Sequence, residues 1–309
     1  INNNNNHESE IDFLELFNIL WLGKWLIFAT TFLISILGVI YSLSLPNIYQ
    51  SKALLSPVNP SNSISRSLQN YSGLAGIAGI SLPAVVDESN SAKAIQKMHS
   101  LSFFENKILP NIFLPDLMAL KSWNAKTNNI NYDKNIYNIE KNAWTRDFAF
   151  PVKQIPSAQE SFKTFKSDIF NATEDVKSGF VTISIKHQSP FVAKQWTELV
   201  VKEINTFYRN KDKTESEKAI SYLNKQIEMT NISEVKQVIS ELLQEETKKL
   251  ALIEANEFYV FEYIDPPVVM ERKSEPKRSI ISILSALLGA ILGVIFVLIK
   301  HYFVKKKVF

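Results

Sequence analysis

Two uncharged apolar stretches, residues 25–45 and 279–299, sit at opposite ends of a 309-residue chain whose middle is water-soluble in character. Each is about 21 residues, which as helix reaches about 31 Å, the thickness of one bilayer core. The pattern predicts a chain anchored twice, with a large domain looped out between the anchors. The expected organisation is a tail (1–24), a first span (25–45), a water-exposed domain (46–278), a second span (279–299) and a second tail (300–309). Tails this short are expected to hold no catalytic or signalling domain. An even number of spans puts both tails on one side of the membrane.

Charge says little about partners in solution. The first tail carries Glu8, Glu10, Asp12 and Glu15 against Lys24, and the second carries Lys300, Lys305, Lys306 and Lys307. With a formal net charge of +3 for the whole chain, the middle is nearly balanced, so no nucleic-acid surface is expected. The lysines after Ile299 favour a cytoplasmic C-terminus, but Arg272, Lys273, Lys277 and Arg278 crowd the other end of the same span. A long loop translocates largely regardless of its charge, so an outward-facing middle is permitted. Cysteine is absent, which suits an oxidising compartment without requiring one.

The first span could be read as a cleaved signal peptide, with Ser42-Leu43-Ser44 as a small-x-small site. Its acidic flank and long apolar run favour a retained anchor instead. The Asn run at 2–6 is a polar tail, and Ile11, Leu14, Phe17, Leu20 and Trp21 form a helical stripe suited to lying along a membrane surface.

In the middle, 48–58 alternates between Pro46 and Pro57 as a strand, 180–186 alternates as its partner, and 258–263 is a third candidate. Residues 91–109 carry Ala94, Ile95, Met98, Leu101, Phe104 and Ile108 at helical spacing. Residues 110–174 are irregular, and Trp123 and Trp144 there are read as core in preference to sugar-stacking rings. The strongest local signal is helical. Pro190 suits a first turn, and the pattern then runs unbroken to about Met229. Asn231 with Glu234 resembles a capping box opening a second helix that ends near Asn256. The part of the first helix beyond Phe207 would pair with the second as a hairpin arm over about 207–256. Its expected packing residues are Ile220, Leu223 and Ile227 against Val235, Ile239, Leu242, Leu250 and Ile253.

No catalytic, cofactor or metal residues are expected. His7, His99, His187 and His301 are not at ligand spacing, and no nucleophile-elbow or zinc-protease signature occurs. Gly73, Gly76 and Gly79 are followed by no Lys, so they do not form a phosphate loop. Carboxylate pairs such as Glu245/Glu246 fit a solvated helix face better than an acid and base. The second span has a different feature. Ser285, Gly289 and Gly293 recur every four residues, which lets another helix approach closely. Pro266, Pro267 and Pro276 stiffen the lead into that span.

Four segments together resemble the Wzz-type chain-length determinants, the polysaccharide co-polymerases of bacterial O-antigen synthesis, in the class without a kinase domain. They are Glu10-Ile-Asp-Phe-Leu-Glu-Leu through Gly23-Lys24-Trp25; Gly73-Leu-Ala-Gly-Ile-Ala-Gly-Ile with the helix holding Ser100; Phe180-Val-Thr-Ile-Ser-Ile-Lys-His-Gln-Ser-Pro190 with Ala193-Lys-Gln-Trp196; and Tyr263-Ile-Asp-Pro-Pro through Arg278. The resemblance departs at 268–273, where members often carry a further proline, and 121–150 aligns with nothing in it.

The resemblance implies an α+β protein, two transmembrane helices flanking a periplasmic α/β base with a long helical arm. It implies a homo-oligomeric ring in the bacterial inner membrane with both termini cytoplasmic. Such a protein sets the modal length of lipid-linked O-antigen made by a separate integral-membrane polymerase, without a catalytic site of its own. The alternative reading is the membrane half of a capsule co-polymerase served by a separately encoded tyrosine kinase. A receptor would need an output module, and a glycan hydrolase an acid/base pair, and this sequence offers neither.

Overall fold

The first long apolar run forms an uninterrupted helix, and so does the last, as their composition requires. A computed structural model describes residues 13–58, 90–256 and 258–307, which divide into two units, the flanking segments and Tyr49–Arg272. The glycine-rich stretch at 73–80 lies outside the described residues.

In the flanking unit, α1 (Phe13–Leu22) turns at Gly23 into α2 (Lys24–Ser44), and α8 (Arg278–Lys307) returns beside α2. Both α2 and α8 are long and apolar enough to cross a membrane. The chain leaving α2 is stitched to the chain entering α8. Ile48 donates its amide to the Glu275 carbonyl at 2.9 Å, and Ser274 donates back to the Ile48 carbonyl at 2.8 Å. Lys273 Nζ and Arg278 Nη2 both donate to Asn47 Oδ1, at 3.1 and 3.2 Å. Pro276 sits in this neck and is half-buried, while Pro266 is exposed and Pro267 buried in the preceding extended segment.

The second unit is built on a four-stranded antiparallel sheet. Strand β1 (Tyr49–Pro57) lies between β7 (Val181–His187) and β8 (Phe261–Asp265), and β6 (Phe170–Glu174) edges β7. Alternation puts Ala53 and Leu55 on the same fully buried face as Val181, Ile183 and Ile185. Helix α6 (Pro190–Met229) covers that face with its first four turns, through Ala193, Trp196, Val200 and Ile204. Phe103, Phe104, Phe165 and Phe170 close the core from the other elements.

Several segments differ from the sequence expectation. Residues 91–109 do not form one helix. Helix α3 (Asn90–Met98) stops where Ser100 turns extended and its hydroxyl accepts the Phe103 amide, and this break swings Phe103 and Phe104 into the core. The irregular stretch holds two hairpins, β2 (Leu120–Asn124) with β3 (Asn129–Tyr132) and β4 (Tyr137–Asn138) with β5 (Ala143–Trp144), besides the edge strand β6. An aromatic cluster joins them. The Tyr137 ring lies 5.2 Å from Trp144, 5.8 Å from Tyr132 and 5.9 Å from Phe113. Both tryptophans there are half-buried. Arg146 then forks onto Glu160 and also donates to the Lys153 and Gln154 carbonyls, tying the loop to the next helix. The bond from Arg146 holds the Glu160 carboxyl below the usual range.

The third strand begins at Phe261, not 258, because the backbone of 259–261 is held by a side chain. Asn205, buried on the sheet side of α6, accepts the amides of Tyr259, Val260 and Phe261 on Oδ1 at 3.2, 2.7 and 2.9 Å. Its Nδ2 donates to the Phe261 carbonyl at 3.0 Å and the Val201 carbonyl at 3.2 Å.

His187 is a second buried polar group, packed 5.4 Å from Trp196. Its Nδ1 accepts the Ser189 amide at 3.0 Å, so Nε2 carries the proton and donates to the Asp116 carbonyl at 3.1 Å. Burial holds the imidazole below its ordinary range, which keeps it neutral.

Two predictions follow from these buried groups. Asn205→Ala leaves three buried amides without an acceptor and should cost about 2–4 kcal/mol. Amide exchange at 259–261 should speed sharply while exchange in β7 changes little, and unchanged protection at 259–261 would contradict the clamp. For His187 the unfolded chain binds more protons than the folded one, so stability rises with pH through this window. It should therefore fall as pH drops below about 6.5. Thermal unfolding of the full chain between neutral and mildly acidic pH should show this loss, and His187→Gln should flatten it.

Candidate functional site

The features that could carry a function are geometric: a helical arm, the foot that fixes it, and a tightly apposed helix pair. Among the described residues no group of His, Cys, Asp or Glu is placed to hold a metal ion.

The arm begins where α6 outgrows the sheet. Helix α6 runs 40 residues and α7 (Ser233–Ala255) runs 23, so about 60 Å of helix is followed by about 35 Å running back alongside it. Thr230 and Ile232 are extended between them. The expected capping box is not formed. Helix α7 starts at Ser233 with Ile232 in the capping position, and no side chain caps it.

Near the turn, Leu223, Ile239 and Leu242 are buried against one another, with Ile227, Val235, Val238 and Leu243 packed around them. The other expected arm residues fall elsewhere. Ile253 is buried in the base core, the cluster that also holds Tyr259 and Phe261, and Ile220 and Leu250 are half-buried outside the tip cluster. Between tip and base the polar Ser216 is fully buried.

The foot is a polar zipper on one face of α6, at positions 205, 209, 212 and 213. Beyond Asn205, Arg209 Nη2 donates to the Asn256 carbonyl at 2.6 Å. Tyr259 donates its hydroxyl to Asp212 Oδ2 at 2.6 Å, and burial together with that carboxylate pushes the phenol pKa upward. Lys213 pairs with Glu254 at 2.7 Å. These spacings follow the helix period, so every turn of α6 at the foot holds the returning chain. The sequence offered one sign of this, a lone Asn inside the otherwise apolar face formed by Val200, Val201, Ile204 and Phe207. The Arg146–Glu160 fork had no such sign, since its partners are distant loop residues.

In the flanking unit the small residues of α8 meet α2. A Cβ added at Gly289 would lie 2.8 Å from the Thr31 Cα, and one at Gly293 would lie 2.9 Å from the Ile27 Cα. Ser285 faces Gly38, and Val297 faces Gly23. Contacts that descend α8 as they ascend α2 show the two helices to be antiparallel. The helix that Ser285, Gly289 and Gly293 admit is thus the chain's own. The hydroxyls of Thr30, Thr31, Ser35 and Ser285 donate to carbonyls one turn back, which leaves the interface free of unmet donors at those positions.

Leu242→Ala should cost about 2–4 kcal/mol if the tip cluster packs as described. Exchange should quicken across 223–243 with the base unaffected, and an unchanged arm would show the cluster to be incidental.

Comparison with known proteins shows what parts of the chain are similar to. Residues 9–106 match the family model described as chain length determinant protein, Wzz. Residues 225–302 match a second model, GNVR, a G-rich domain whose description ties it to a tyrosine kinase. Among solved structures, a full-length bacterial polysaccharide co-polymerase is similar over 95% of this chain and 99% of that one, at 14% identity and a TM-score of 0.41. A fragment of WzzB, the polysaccharide co-polymerase from Salmonella Typhimurium, is similar over 74% of this chain and 100% of the fragment, at 12% identity and a TM-score of 0.30. No curated protein matches the chain. Residues 9–106 of this chain are thus similar to the Wzz-type chain length determinants, in agreement with the resemblance read from its sequence.

Proposed function

We propose that this protein sets the modal length of a lipid-linked polysaccharide, O-antigen in the first instance, that a separate integral-membrane polymerase elongates. The observation that carries the reading is the chain length determinant match across the first span and into the base. The architecture supports it. The described residues offer a packed base, an arm and a pair of apolar helices, and the chemistry of a regulator that acts by shape needs no more.

In this reading the protein is a two-pass protein of the bacterial inner membrane with both termini cytoplasmic and the Tyr49–Arg272 unit in the periplasm. It works as a ring of identical copies beside the polymerase, with the growing lipid-linked glycan as its other partner. It has no catalytic residues, and the arm and the Gly289/Gly293 helix pair hold the geometry that determines length.

The GNVR match favours a second reading, a capsule or exopolysaccharide co-polymerase partnered by a separately encoded tyrosine kinase. The two readings differ in which glycan responds.

The test compares surface polysaccharide on gels from a deletion strain, the complemented strain, and one expressing Leu242→Ala with Leu250→Ala. Deletion should turn a modal lipopolysaccharide ladder into a broad one, and the arm variant should shift or broaden it with polymer still made. Loss of all polymer with the variant inserted would contradict a regulator. An unaltered ladder with altered capsule would select the second reading.

A further inference from the structure

We propose that the junction of α1, α2 and α8 is a binding site for one anionic phospholipid. A cavity of about 610 Å³ lies there, walled by Leu22 of α1, Leu26 and Ala29 of α2, and Val297 of α8. This volume falls within the range of about 300–1,000 Å³ typical of small-molecule sites. Its lining is mostly apolar, but Lys300 and His301 stand at its edge, and no acidic side chain is among the residues that line it.

The site's place along the helices decides the chemistry. Val297 belongs to the apolar run of α8, and Lys300 is the first charge after it. The cavity therefore spans the depth at which acyl chains give way to headgroups, with its apolar wall at chain level and Lys300 and His301 at phosphate level. Gly23 makes room for this arrangement. A Cβ there would lie 2.5 Å from Val297 Cγ1, so any larger residue would push α1 and α8 apart. Lys24 is turned aside, its ammonium 4.3 Å over the Trp21 ring, which leaves Lys300 as the cation of the cavity, with the His301 imidazole beside it in sequence. An acyl chain fills the apolar part and the phosphodiester sits between Lys300 and His301. A neutral, zwitterionic lipid would bring its own cation toward the Lys300 ammonium and be disfavoured.

The test uses the full chain in vesicles of phosphatidylcholine containing a minor fraction of brominated phosphatidylglycerol, against the converse mixture with brominated phosphatidylcholine as the minor part. Trp25 lines the cavity and Trp21 is close by in sequence, whereas the other tryptophans lie in the Tyr49–Arg272 unit. Quenching thus reads lipid at this junction. Brominated phosphatidylglycerol should quench more strongly, with an enrichment of about five-fold from the Lys300 cation. Lys300→Gln with His301→Gln should abolish the preference, and so should Ala29→Phe, which fills the apolar end and leaves the charges. Replacing Lys305, Lys306 and Lys307 by Gln should preserve it. Equal quenching by the two lipids would overturn the proposal. So would a preference that survives Lys300→Gln/His301→Gln but disappears with the distal lysines, since that is diffuse attraction to a basic tail.

Discussion

The amide of Asn205 determines where the arm ends and the base resumes. A chain that leaves a sheet, runs out along one helix and returns along another must re-enter the same core in register. Here a single side chain supplies both an acceptor for three successive amides and a donor to the carbonyl that follows. Without it, 259–261 would bury backbone polar groups on the way to β8, which is a cost folding rarely tolerates. With it, the start of β8 is fixed to a position on α6, and so the length of arm between them is fixed as well. Arg209, Asp212 and Lys213 extend the attachment by two more turns.

Much of this was legible in the sequence because it depends on periodicity. The two apolar runs, the 40-residue helix and the β1–β7 pair all announce themselves by spacing and composition. What escaped was structure made by contacts between residues far apart or of low propensity. The hairpins of 120–144 are short, their aromatics are irregularly spaced, and their stability comes from Phe113, Tyr132, Tyr137 and Trp144 packing on one another. The break at Ser100 was hidden because apolar residues on both sides of it keep helical spacing while serving different turns. The expected arm stripe was read as one surface, yet Ile253 belongs to the base and Leu242 to the tip. A helix that crosses from a core to a projection keeps its period while changing its partner.

The helix pair shows a related economy. Ser285, Gly289 and Gly293 are the residues of α8 best suited to close approach, and α2 occupies their face. What remains outward is Leu, Ile and Phe, among them Leu284, Leu288, Ile291 and Ile295, a surface matched to lipid tails. In lipid such a surface gains little by meeting another like it, since tails are as apolar as leucine. If copies associate, the discriminating contacts are then to be sought on the water-exposed unit.

That unit also carries polar groups that serve its structure. Asn205 is committed to the foot, His187 to the Asp116 carbonyl, and the half-buried Tyr132 to the Asp116 carboxylate at 2.6 Å. Burial raises the Asp116 carboxyl and lowers the His187 imidazole. Shifts of this kind often mark an acid and a base poised for proton transfer. Here the His187 imidazole donates its proton to the Asp116 backbone carbonyl, while the Asp116 carboxylate accepts the Tyr132 hydroxyl. The pair therefore acts as a hydrogen-bonded brace that holds the 114–118 turn against the end of β7, where α6 begins. The same perturbation that in an open cleft would suggest catalysis here fixes the starting point and direction of the long helix, and through it the arm.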